Sequence, residues 1–273
     1  MKRLVVFLMI AGLTTMCAFG QKKETREVSG FTGIEASDVF EITVTKGSSE
    51  SLVIEADEEV IQYVSSEVKN SVLYLSVNRK KAKVKHTKTL KAYIVMRDLD
   101  MVSLKNACKL TTADLFTPNS FSGDCSGACN MTININTGKL SLKVGGSSNV
   151  RVKANVTGDT DINVGGAINL QGELNGNNVK FDVRGSCFID KFSGSATNME
   201  MILSGAANFK AEDFKVKTAV IKSSGSSIIT VNATDVLKLN FSGASSVNYK
   251  GAPDIEINGS GSSKNEFFTL KKI

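Results

Sequence analysis

The stretch Leu140-Ser-Leu-Lys-Val-Gly-Gly-Ser-Ser-Asn-Val150 decides the fold. Apolar residues at 140, 142 and 144 alternate with Ser141 and Lys143, the period-two pattern of a strand with one buried face. Small residues then interrupt the run, and alternation resumes at Val150. A chain that alternates, bends on small residues and alternates again makes two strand segments joined at a narrow corner.

The corner recurs on both sides of this stretch. Its first positions are Asn106, Gly127, Gly146, Gly166, Gly185, Gly205, Gly225, Gly243 and Gly261, separated by 21, 19, 20, 19, 20, 20, 18 and 18 residues. Apolar triplets lead into it, as with Val179, Phe181 and Val183, or Leu237, Leu239 and Phe241. Parity places each Gly inward, together with the small residue two later and the apolar residue four later. A coil of about 20 residues cannot bury its apolar face alone, but stacked coils can. The expectation is an all-β, right-handed parallel β-helix, a solenoid with one coil per repeat. The hand follows from the general preference of parallel crossovers. Nine coils at strand spacing predict a regular section about 38 Å long. A propeller needs longer repeats and a sandwich needs hairpin turns, and the sequence offers neither.

The first residues read differently. Met1-Lys2-Arg3 is cationic, Leu4 to Leu13 is apolar, and Ala18-Phe19-Gly20 is a small-x-small site before polar Gln21. This predicts a signal peptide over residues 1–20 and a mature chain from Gln21. Cys17 opens a lipoprotein alternative, although Met16 and Thr14 do not fit that motif. The apolar run is too short for a membrane span. Residues 21–273 are then expected to form a single β-helix domain, with 27–100 as irregular first coils and a cap, and 101–265 as regular coils. Asp57 to Val64 reads as a short helix within the first part. Phe267 and Phe268 fall in a segment expected to cap the far end.

Composition narrows the function. There are 23 Gly, 2 Pro, no Trp and one His, and the net charge is +6, of which Lys2 and Arg3 supply two. So mild a bias on an exported chain argues against nucleic acid. Cys125 and Cys129 make half a zinc motif without a second half, so no metal or other cofactor is expected.

The start of the mature chain resembles a known family. Phe31-Thr-Gly-Ile-Glu35, Val39-Phe-Glu-Ile-Thr-Val44, Leu52-Val-Ile-Glu-Ala-Asp57 and Val72-Leu-Tyr-Leu75, with the serial Ser-Gly-Ala/Ser steps after residue 120, are similar to the auto-transporter adhesin head GIN domain family of Bacteroidetes. The resemblance covers nearly all of the mature chain. It implies a β-helix with a secretory signal, and no activity is assigned to the family. A self-transporting protein would carry its own membrane barrel. The coil repeat runs almost to Ile273, so self-transport is not expected of this chain.

Four features are candidates for function. The run Arg79, Lys80, Lys81, Lys83, Lys85 and Lys88, with His86, could hold an anionic ligand or be a solvated loop. Asn130, Asn149, Asn169 and Asn208 recur at one repeat position, interrupted by Phe188, either as a stacked amide ladder or as a sugar-binding row. Asp161 and Asp182 are carboxylates on successive coils, but no coil offers the acidic pair of a glycosidase. Cys108 and Cys129 occupy one repeat position in consecutive coils and could form a disulfide, with Cys125 competing for Cys129. The expected function is an exported, non-enzymatic binding or structural module of the cell envelope, adhesin-like. Its partner would be a glycan or another cell-surface protein. The location would be periplasmic, outer-membrane-associated or extracellular. The alternative is a polysaccharide-active β-helix enzyme, a lyase or glycosidase.

Overall fold

A computed structural model describes residues 20–82, 90–259 and 269–273. Residues 1–19 of the expected signal peptide, with Cys17, and Lys83, Lys85, His86, Lys88, the ninth corner at Gly261 and the Phe267–Phe268 segment lie outside the described residues. The chain is a parallel β-solenoid with coils of about 20 residues. Each coil contributes to two sides. On the first face, Met101–Asn106, Ser120–Gly127, Lys139–Gly146, Asp159–Gly166 and Asn178–Gly185 pair in parallel, one coil after the next. On the second, Lys109–Thr112, Asn130–Thr137, Asn149–Val156 and Asn169–Asn175 do the same. In later coils the strands Phe188–Gly205, Asn208–Ser223 and Ile228–Phe241 run from the second face into the first without a break.

The alternation predicts the interior. Leu140, Leu142, Val144, Val183, Met201 and Leu239 are all buried. Larger side chains join the two sides: Phe181 meets Phe192 and Phe209 edge-on, with ring centroids 5.4 and 5.2 Å apart. Each fully buried side chain of this size contributes about 1.5–3 kcal/mol. Exposed ion pairs contribute about 0–1 kcal/mol. The core therefore holds the coils together far more than the charged exterior does.

The corner glycines require a correction. Parity placed them inward, yet Gly146, Gly166, Gly185 and Gly205 are exposed. The inward corner position is the residue two later, where Cys129, Ser148, Cys187, Ala207 and Ser227 are buried. Glycine is needed for a different reason. The chain turns there through positive φ, +78° at Gly146 and +133° at Gly205. The glycines also stack directly, Gly127 on Gly146 on Gly166 on Gly185 on Gly205. A Cβ at Gly205 would lie 2.5 Å from the Gly185 carbonyl oxygen.

The N-terminal part is less regular than the rest, and its order in space differs from its order in sequence. The coil of Gly33–Ala36 and Glu41–Lys46 lies between two later ones. Gly33–Ala36 pairs with both Val72–Val77 and Met101–Asn106, and Glu41–Lys46 with both Leu90–Met96 and Lys109–Thr112. Antiparallel strands then finish this end. Val64–Lys69 covers Val72–Val77, Ser51–Asp57 covers Leu90–Met96, and Gln21–Arg26 lies outermost on Ser51–Asp57. The short helix forms over Glu58–Ile61, with Glu58 and Glu59 in its first turn.

Gly205→Ala should destabilise the protein by about 1–3 kcal/mol, the cost of a strained backbone position. Exposed Ser204→Ala should stay within about 0.5 kcal/mol. Thermal unfolding of the two variants checks this, and equal melting would contradict corner stacking.

Candidate functional site

Stacking gives every outward side chain its counterpart one coil away as a neighbour, so each face reads as a set of rows. On the first face one row runs Ser141, Asp161, Lys180, Glu200. The adjacent row runs Asp124, Lys143, Asn163, Asp182. Asp161 is opposite Lys180, so Asp161 and Asp182 are diagonal neighbours on adjacent strands. Charges of opposite sign meet along these rows and diagonally between them. Lys222 reaches Glu200 at 2.8 Å, Lys180 reaches it at 3.8 Å, and Lys238 reaches Glu256 at 3.0 Å. Asp182, Glu200 and Lys238 are consequently half-buried. Arg184 donates to both oxygens of Asp182, at 2.9 and 2.8 Å, and holds that carboxyl below the usual range. Lys222, then Lys180, does the same to Glu200. At Glu55 burial pushes upward, but hydrogen bonds from Lys23 and Tyr93 and the charges of Lys23 and Lys91 outweigh it. A general acid for glycoside cleavage needs a carboxyl held up, the opposite direction.

The second face is built from amides. Its leading row runs Lys109, Asn130, Asn149, Asn169, Phe188, Asn208, Ile228. Asn149 donates to Asn130 at 3.1 Å. Six residues along the strand, Asn155 donates to Asn136 at 2.8 Å and Asn175 to Asn155 at 3.0 Å. A further row, on the first face, joins Asn198, Asn178 and Asp159 at 2.9 and 3.0 Å. The donor is always the residue one coil later in the chain. Beside the leading row, Arg151 donates to Gln171 Oε1 at 3.1 Å. Together the first coils of this face frame a shallow depression of about 490 Å³.

The four recurring Asn residues thus share one row, as their spacing implied. The other two amide rows were equally readable, since Asn136, Asn155 and Asn175 are 19 and 20 residues apart. Phe188 and Ile228 interrupt the leading row and are large exposed hydrophobics, 39% and 51% accessible. Asn169 and Asn208, each one coil before an apolar residue, have buried Oδ1 atoms without a hydrogen-bond partner.

The remaining candidates lie elsewhere. In the cationic run Arg79 pairs with Asp38 at 2.7 Å, while Lys80 and Lys81 are exposed. The four cysteines are free, buried thiols. Cys129 shares a hydrogen bond with Cys125, which together with burial pushes the Cys125 thiol up. Burial also raises Cys108, which lies near Cys129, to about 11. No group of three metal-ligating side chains occurs among the described residues.

Comparison with known proteins follows the fold. A comparison with curated proteins finds no match. Among solved structures, a "putative adhesin" from Parabacteroides merdae is 18% identical with a TM-score of 0.71, over 93% of this chain and 96% of that one. A "putative adhesin" from Parabacteroides distasonis is 22% identical with a TM-score of 0.64, over 94% and 98%. A "putative lipid binding protein" from Parabacteroides distasonis is 19% identical with a TM-score of 0.64, over 93% and 96%. Such identities establish a shared fold. The family model described as "Putative auto-transporter adhesin, head GIN domain" matches residues 30–167 and again 156–253, two overlapping stretches of the same coil repeat. These matches span most of the sequence, and the chain belongs to that family.

Proposed function

We propose that this chain is an exported, non-enzymatic binding module of the cell envelope, and that its second face presents amides to a glycan or to another cell-surface protein. The observation that carries this reading is the contrast between the two sides. On the first face Lys180 and Lys222 pair with Glu200, Arg184 with Asp182 and Lys238 with Glu256. The second offers planar amides, a guanidinium and an exposed aromatic ring on a rigid lattice. Rigid, polar surfaces with aromatic anchors suit recognition at low entropic cost.

The polysaccharide-active enzyme is less well supported, because the shifted carboxyls move away from the general-acid range. Lipid binding, the description given to one structural neighbour, would call for an apolar cavity. Here the interior is filled by side chains such as Phe181, Phe209 and Leu239. Export accords with the strand at Gln21–Arg26, whose first residue pairs with Asp57. Removal of residues 1–20 would leave that strand whole. In an oxidising compartment we propose a Cys108–Cys129 disulfide, formed by exchange with an external disulfide oxidant. The cationic run from Arg79 to Lys88 would add long-range attraction for acidic surfaces.

Two measurements test these statements. Intact-mass analysis of exported, alkylated protein should show a chain beginning at Gln21 with Cys125 and Cys187 alkylated. A lipid-modified Cys17, or four alkylated thiols, would contradict the respective parts. A glycan array probed with the mature protein should show binding without release of reducing ends or unsaturated sugars. Depolymerisation would replace this reading by the enzymatic one.

A further inference from the structure

The Asn–Asn hydrogen bonds share one direction, and in the leading row they stop at Asn149, before Asn169, Phe188 and Ile228. In each Asn–Asn hydrogen bond the later residue's Nδ2 donates to the Oδ1 one coil earlier. By that rule residue 188 should donate to Asn169, and residue 228 to Asn208. Phe188 and Ile228 cannot. The two amide oxygens left buried and unpaired are those of Asn169 and Asn208. A buried unpaired acceptor is destabilising, and exposing a large apolar side chain in its place gains nothing from burial. Local rules broken without structural return mark functional positions.

The backbone deviates at the same place. Between Leu170 and Gly172 the ladder shifts register, so Asp190 and Lys191 together stand opposite Gln171. Lys191 has φ +52°. A bulge of this kind re-aims the side chains beside it. Charge is distributed unevenly as well. Lys109 and Lys153 on this face are paired with Glu41 and Glu173. Among the described residues, Arg151 and Lys210 have no carboxylate within ion-pair distance. Lys210 Nζ is instead 5.7 Å from the Phe188 ring centre.

We infer that Phe188, Asn208 and Ile228, flanked by Lys210 and by Arg151 with Gln171, form a binding site for an acidic oligosaccharide lying along the stack. Phe188 and Ile228 are two coils apart, about 10 Å at strand spacing. One coil step is close to the advance of one pyranose unit, so the C–H faces of alternate sugars meet the two apolar residues. The hydroxyls between them meet the Asn208 amide. The sugar acid groups meet Lys210 and the Arg151 guanidinium, which accepts planar carboxylates well. A neutral glycan would leave these cations without partners, and an aliphatic lipid would leave the amides unsatisfied.

The inference rests on the glycan-binding reading above, and one experiment separates the two. Binding of galacturonate, glucuronate and mannuronate hexasaccharides, and of their neutral carboxyl-reduced counterparts, is measured by calorimetry for the mature protein and its variants. Wild type should bind at least one uronate chain and bind its reduced counterpart at least tenfold more weakly. Phe188→Asn should reduce affinity at least tenfold while melting at or above the wild-type temperature, because it restores the missing amide bond to Asn169. Lys210→Gln and Arg151→Gln should each weaken binding several-fold, more at low salt than at high. Lys143→Gln on the opposite face should bind as wild type does. If wild type binds but Phe188→Asn binds equally, this site is wrong and the glycan reading stands. If neutral and acidic chains bind alike, the acidic class is wrong. Absence of all binding, on the array as well as here, overturns both the site and the glycan reading.

Discussion

The hydrogen bonds that pass from one corner to the next set the terms for everything else. Ser147 donates to the Gly127 carbonyl at 2.7 Å, Ala167 to Gly146 at 2.9 Å, Ser186 to Gly166 at 3.0 Å and Ser226 to Gly205 at 2.9 Å. Each carbonyl in this column occupies the space where a Cβ on the next coil would go. From Gly127 to Gly205 the chain turns there through positive φ, and from Gly146 to Gly243 the column has no room for a side chain. The corner fixes where each strand begins, and therefore which residues of the coil point inward. One misplaced residue would exchange the buried and exposed sets along the whole strand.

The same stacking imposes a chemical rule on the outside. A residue's nearest neighbours are its counterparts above and below, so a row must be made of groups that tolerate themselves or alternate. Asparagine tolerates itself, since each amide has both a donor and an acceptor. A carboxylate does not, and Asp161, Lys180 and Glu200 alternate in sign. The first face meets the rule mainly by pairing opposite charges and the second mainly by amides, which leaves the second with more polar capacity for a ligand. Phe188 belongs to neither solution.

Much of this was legible in the sequence because the repeat is written directly in residue spacing. Period-two alternation located the core at Leu142 and Leu239, and the near-constant step placed Asn130, Asn149 and Asn169 in one row. The orientation of the glycines was not legible. Alternation counts residues as if every backbone were extended, and the positive φ at Gly146 and Gly205 interrupts that count. Nor was the order of the first coils. Insertion of Gly33–Ala36 between Val72–Val77 and Met101–Asn106 depends on pairing between distant segments, and single-strand patterns say nothing of partners. The proposed site was half visible: the breaks at Phe188 and Ile228 could be seen, but the unpaired oxygens at Asn169 and Asn208 required the register.

The N-terminal end explains why function should be sought on the flanks. An open solenoid end presents a row of unpaired backbone groups to which another copy can add. Here antiparallel strands end the stack, and the outermost, Gln21–Arg26, carries Lys22, Lys23, Glu24 and Arg26. Glu24 pairs with Lys22 at 2.9 Å and with Arg26 at 2.7 Å, placing charge along the exposed edge. Addition of a further parallel coil there would have to displace these strands and strip those charges of water. What this end does offer is a rigid termination that holds the first regular coils in register. Their outward rows then keep fixed spacing, and fixed spacing is what lets a row of separate side chains act as one surface for an extended ligand.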